Sequence, residues 1–167
     1  MVKIFNEDCF ETMKRLKDGR IDVVLTSPPY NTARTCKTER SIKNYENRYD
    51  VHLDDKTDEE YIEWTVEMFN CYDRVLRDNA TVLYNISYGN ENPDVFWLVI
   101  AEIVKRTNFM VADCIVWKKN NALPNNVSHN KLTRITEFVF VFCRKSEYKT
   151  FNANKKVKSV SNTGQKY

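Results

Sequence analysis

Only three glycines, at positions 19, 89 and 164, occur in this chain of 167 residues, and no two are close together. A tight turn that brings bare backbone against a ligand needs glycine, so the sequence holds no paired-glycine ligand loop. His52 and His129 stand at no ligand spacing from a cysteine pair, which argues against zinc. The five cysteines (9, 36, 71, 114 and 143) are scattered, with no Cys-x-x-Cys. They read as reduced, cytoplasmic and mostly core thiols. No apolar run approaches the ~18 residues of a membrane span, so no membrane partner is expected. The first eight residues contain no signal-peptide core.

What is present is unevenly charged. The chain is +3 overall, but residues 144–167 hold seven Lys or Arg and one acid, Glu147, giving +6 there and about −3 elsewhere. A basic tail on a mildly acidic body suits contact with a phosphate backbone. It equally suits a solubilising, partly disordered end.

Periodicity gives alternating elements. Residues 2–5 read as a short strand. A helix follows over about 9–17, with Asp8 and Glu11 as a capping box and Gly19 ending it. Residues 21–26 read as a buried strand. Residues 27–56 are polar and aperiodic, and so long a loop is functional or disordered. Thr57 and Glu60 open a second helix, with Tyr61, Ile62, Thr65, Met68, Phe69, Tyr72, Val75 and Leu76 on one face and Asp78-Asn79 breaking it. A strand over 80–86, a helix capped by Asn92 with Pro93 at its first position, and strands over 109–117 and 135–144 complete the chain. Trp117 reads as core. The fold class is α/β with a closing antiparallel hairpin. Such sheets hold ligands at the carboxyl ends of their parallel strands. Ser27 and the segment from Asn85 to Gly89 both fall there, the latter read as a plain polar turn.

The most informative stretch is Thr26-Ser27-Pro28-Pro29-Tyr30. Two prolines fix φ and remove two backbone donors, and the first holds Ser27 extended. Carbonyls and the Ser27 hydroxyl are left to accept hydrogen bonds, and Tyr30 offers a flat stacking face. Acceptors aimed at an exocyclic NH2 beside an aromatic ring suit chemistry on a flipped-out base.

This segment resembles the catalytic motif of S-adenosylmethionine-dependent DNA amino-methyltransferases, the cytosine-N4 and adenine-N6 enzymes. The run Trp117-Lys118-Lys119-Asn120-Asn121-Ala122-Leu123-Pro124 is similar to a strand-and-loop of that family. Arg134-Ile135-Thr136-Glu137 resembles the strand that follows, with a shortened spacing to Glu137. The resemblance covers about residues 1–145 and implies a partial Rossmann-like methyltransferase sheet. It implies catalytic roles for Ser27, Pro28, Pro29 and Tyr30, S-adenosyl-L-methionine as cofactor beside Asp8, Thr26 and Ser27, and DNA as partner. Asn31, Arg34, Lys118, Lys119, Asn120, Lys131 and Arg134 are the expected DNA contacts. Ser27 in place of aspartate favours cytosine-N4 as the target.

The catalytic motif comes only about twenty residues in, which resembles the permuted (beta-type) group, whose glycine motif lies near the C-terminus. That motif is missing here. The expectation is therefore a catalytic half over residues 1–145 and a basic tail over 146–167, working with a complementing polypeptide or a homodimer mate. The alternative is an incomplete nucleic-acid-binding remnant or split subunit. A glutamine-amide methyltransferase is disfavoured, because its glycine motif lies upstream and its motif has asparagine where Ser27 stands.

Overall fold

Thr57 and Glu60 fix the start of the longest helix. The Thr57 hydroxyl accepts from the Glu60 amide, and the Glu60 carboxylate accepts from the Thr57 amide at 2.8 Å, a reciprocal box. The computed structural model describes residues 2–31, 56–87, 93–120 and 135–150. Its elements are α1 (Cys9–Arg15), β1 (Ile21–Thr26), α2 (Asp58–Val75), β2 (Leu76–Ile86), α3 (Val95–Arg106), β3 (Phe109–Lys118) and β4 (Thr136–Arg144), then a 3-10 turn, Lys145–Thr150.

The four strands form one sheet in the order β1-β2-β4-β3. β1 runs parallel to β2, while β4 is antiparallel to both β2 and β3. The C-terminal ends of β1, β2 and β3 therefore share one edge with the start of β4. Phe69 of α2 is fully buried at the centre of the core, edge-on to Tyr72, Tyr84, Phe109 and Phe142 at 5.0–5.5 Å. Phe96 of α3 stacks on Phe138 of β4 at 5.5 Å.

Several sequence expectations need correcting. Residues 2–5 form no strand, and Val2 and Ile4 are exposed. Helix α1 stops at Arg15, and Gly19 instead makes the turn into β1 with φ +62, its amide on the Arg74 carbonyl. No capping box closes α1. Asp8 accepts from the Phe10 amide at 2.7 Å, and Glu11 pairs with Lys14 instead.

Among the described residues β1 pairs with a strand on one side only, and part of its apolar run is uncovered, with Leu25 74% exposed. Asp78-Asn79 does not separate helix from strand. β2 starts at Leu76, and Asn79, at φ 58, lies where the register against β1 shifts. Helix α3 begins at Val95 with Asp94 at the cap position, and Asn92 lies outside the described residues.

Trp117, expected in the core, is 52% exposed, at the end of β3, which pairs with a strand on one side only among the described residues. Of the four described cysteines, all free, only Cys143 is buried. Among the described residues no helix is long and apolar enough to cross a membrane, and no group of His, Cys, Asp or Glu could hold a metal.

Candidate functional site

The shared strand edge gathers side chains from all four strands. Ser27 and Tyr30 come from the turn after β1, Asn85 from the end of β2, and Glu137 from the start of β4. Lys119, just past β3, joins through an ion pair with Glu137. Ser27 Oγ lies 3.1 Å from Tyr30 Oη. Tyr30 Oη donates to Glu137 Oε2 at 3.2 Å. Asn85 Nδ2 donates to Tyr30 Oη at 2.6 Å and to Glu137 Oε2 at 2.9 Å, and reaches Ser27 Oγ at 3.4 Å.

Burial grades along this row. The Glu137 side chain is only 13% exposed, Tyr30 is half-buried, and Ser27 is open to solvent. Burial alone would raise the Glu137 carboxyl, but Lys119, then Asn85 and Tyr30, outweigh it and hold the pKa below the ordinary value. The arrangement is an ion pair at one end and an exposed hydroxyl at the other, joined by hydrogen bonds.

The prolines do what their chemistry requires. Pro28 is buried, and the Pro29 carbonyl accepts from the Tyr61 hydroxyl of α2 at 2.7 Å. No described residue donates to the Pro28 carbonyl. The Thr26 side chain acts on the Tyr72 hydroxyl of α2. Burial pushes the Tyr72 hydroxyl far above its ordinary pKa, and Cys9 lies close enough to act on it. One Asp8 oxygen is engaged by the helix cap.

The expected DNA-contact residues divide. Asn31 is only 4% exposed, at φ 55, and its amide donates to the Lys56 carbonyl at 2.7 Å. It is turned into the protein, not outward to a phosphate. The Lys119 ammonium is drawn to Glu137, which leaves Lys118 and Asn120 as the exposed pair. Arg34, Lys131 and Arg134 lie outside the described residues. Two bases of the tail's charge excess are spent internally. Arg144 pairs with Asp73 and Glu147, and Lys145 Nζ donates to the Thr107 carbonyl at 2.7 Å.

Sequence reasoning assigned no site role to Asn85 or Glu137. The available signal was a lone acid heading the apolar run Phe138-Val139-Phe140-Val141-Phe142. A carboxylate there needs a buried partner.

Comparison with known proteins fits this geometry. A Type II methyltransferase, M.MwoI of Methanothermobacter wolfeii, is 30% identical over 152 residues, covering 87% of this chain and 21% of that protein. A second, M.SfiI of Streptomyces fimbriatus, is 28% identical over 84% of this chain and 35% of its own length. The chain thus spans about a fifth to a third of these relatives. Among solved structures, the cytosine-N4-specific PvuII DNA methyltransferase superposes with a TM-score of 0.60 at 18% identity, over 81% of this chain and 46% of that one. An M1.HpyAVI–SAM complex superposes with a TM-score of 0.51 at 24% identity, over 100% and 62%. These likenesses give the sheet its place among Rossmann-like methyltransferase folds. A DNA methylase family model matches residues 21–167, and the chain belongs to that N6/N4 DNA methylase family.

Proposed function

We propose that this chain supplies the catalytic surface of a DNA amino-methyltransferase that uses S-adenosyl-L-methionine and acts on an exocyclic amine of a flipped base, cytosine-N4 before adenine-N6. The observation that carries the reading is the exposed Ser27 hydroxyl, held by Tyr30 and Asn85 at the carboxyl edge of the sheet. An aromatic amine is a weak nucleophile because its lone pair is delocalised into the ring. Ser27 Oγ and the Pro28 carbonyl accept its two N–H bonds, favour a more tetrahedral nitrogen and aim the lone pair. The Tyr30 ring holds the base by stacking, an interaction worth ~1–3 kcal/mol per base. Positioning and electrostatics supply the acceleration, with no covalent intermediate on the protein.

The residues present fit one side of the cofactor. Asp8 keeps a carboxylate oxygen beyond its cap bond, as a ribose requires. Asp8 and the Thr26–Ser27 backbone would hold it. When bound, the cofactor supplies an electrophilic sulfonium methyl. DNA is the substrate in this reading, with Lys118 and Asn120 as outward contacts. A complementing chain or second copy is supported by β1, which among the described residues pairs with a strand on one side only and exposes Val23 and Leu25. Residues 1–145 form the catalytic unit and 146–167 the tail.

The experiment is transfer of labelled methyl from S-adenosyl-L-methionine into mixed-sequence DNA by the purified chain, with product nucleosides separated. Label in N4-methylcytosine is expected. Label in N6-methyladenine would reassign the target. No label from a folded chain, alone or with a complementing polypeptide, would overturn the reading.

A further inference from the structure

We infer that Glu137 is a positioning residue that sets the direction of the hydrogen-bond chain ending at Ser27, so that Ser27 Oγ faces outward as an acceptor and selects an amino-bearing base over a carbonyl-bearing one. This deepens the proposed function and rests on it.

The protons available in the cluster fix its direction. An ionised carboxylate has none to give, so the contact between Tyr30 Oη and Glu137 Oε2 at 3.2 Å commits the single Tyr30 hydroxyl proton to Glu137. Asn85 Nδ2 has only hydrogens to offer that oxygen, and donates to it at 2.6 Å. Tyr30 Oη then has acceptor capacity alone left for Ser27 at 3.1 Å. Ser27 must donate inward. One of its lone pairs meets Asn85 Nδ2 at a long 3.4 Å, and the other is left for solvent and for whatever lies over the exposed hydroxyl. An exocyclic N–H is received there. A base carbonyl in the same place meets lone pairs and is repelled, and a site built around one hydrogen-bond sense discriminates steeply against the other.

Lys119 keeps the polarity in one state. Its ammonium faces Glu137 from the end of β3, Tyr30 faces it from the turn after β1, and Asn85 from β2. Among the described residues these are the charged, titratable and amide groups that act on the carboxylate. In Glu137→Gln the amide oxygen stays with Lys119, so the amide nitrogen faces Tyr30 Oη and also the Asn85 amide, which loses its acceptor there. Tyr30 then donates to Ser27, and the Ser27 proton turns outward against the incoming N–H.

The test is neutron crystallography of the deuterated full chain, wild type and Glu137→Gln, with methyl transfer to mixed-sequence DNA measured on both. The expected wild-type result is deuterium on Tyr30 Oη directed at Glu137 and on Ser27 Oγ directed at Tyr30, with both reversed in the variant. Tyr30 deuterium directed at Ser27 in the wild type, or no reversal in the variant, overturns the inference. In turnover, kcat falls on the order of 10²-fold while KM for DNA stays within a few-fold. The wild-type loss of kcat on acidification, as a protonated Glu137 becomes a donor, disappears in the variant. An unchanged kcat overturns the inference. Absence of methyl transfer by the wild type defeats the functional reading separately, and the deuterium positions still decide the polarity.

Discussion

Glu137 at the start of β4 and Arg144 at its end each draw together side chains and backbone from neighbouring elements, yet they finish differently. Arg144 uses every nitrogen of its guanidinium. Nε pairs with Asp73 Oδ1 at 2.5 Å, Nη2 donates to the Asp73 and Leu76 carbonyls at 2.6 and 2.7 Å, and Nη1 donates to the Arg77 carbonyl at 2.9 Å and Glu147 at 3.1 Å. That cluster is closed and joins the end of α2, the start of β2 and the 3-10 turn. The Glu137 cluster also holds an ion pair and three hydrogen-bonding side chains, but its last member, Ser27, is open to solvent. A saturated polar cluster stabilises; one that stops a partner short is built to take something from outside.

The largest expected effect is at the closed end. Arg144→Ala strands Asp73 and three carbonyls, and should lower stability by about 3 kcal/mol, read from the urea midpoint at unchanged m-value. A loss below about 1 kcal/mol would mean that water replaces the guanidinium and that the two ends are less different than their geometry. Tyr30→Phe, at the open end, should cost only about 1 kcal/mol of stability while methyl transfer to DNA collapses. Equal losses in stability and transfer would erase the distinction.

The third prediction concerns acid. Because the folded state holds the Glu137 carboxyl below its ordinary value, its contribution to stability is full above an unfolded pKa of ~4.3. It is lost as pH falls through the folded pKa. Wild type should therefore lose stability below about pH 4 that Glu137→Gln does not lose, measured by denaturation at stepped pH. Parallel curves would refute it. The smallest effect is at the surface. Lys118→Ala should change stability by less than about 0.5 kcal/mol and reduce the salt slope of DNA binding by about 1.

Much of the closed scaffold was legible in the sequence, because its signals are local. The Thr57–Glu60 box lies within a single turn of helix and appears as read, and the apolar face of α2 follows the helical repeat from Tyr61 to Val75, with Leu76 already in β2. The Ser27–Tyr30 turn was legible because prolines announce their own geometry. The open cluster was not, because it depends on register. Asn85 meets Glu137 only because β4 returns antiparallel along β2, pairing Ile86 with Phe138, and no local pattern encodes that pairing. The same gap explains β1 and Trp117. An apolar run shows that a strand has affinity for a core, but not whether a neighbour stands on each side of it. Asn31 was misplaced for the opposite reason. A polar residue beside a catalytic turn suggested an outward contact, whereas its left-handed backbone and buried amide serve the turn itself.

That Asn31 amide has a consequence for what the chain can tolerate. By bonding the Lys56 carbonyl at 2.7 Å, it ties together the two ends of the segment between them. Once the ends are fixed, closure entropy depends only logarithmically on the number of residues enclosed, about 0.6 kcal/mol for each doubling. A change in the number of residues between the two ends therefore costs the described fold little, and one clasp uncouples the length of that stretch from the stability of the sheet.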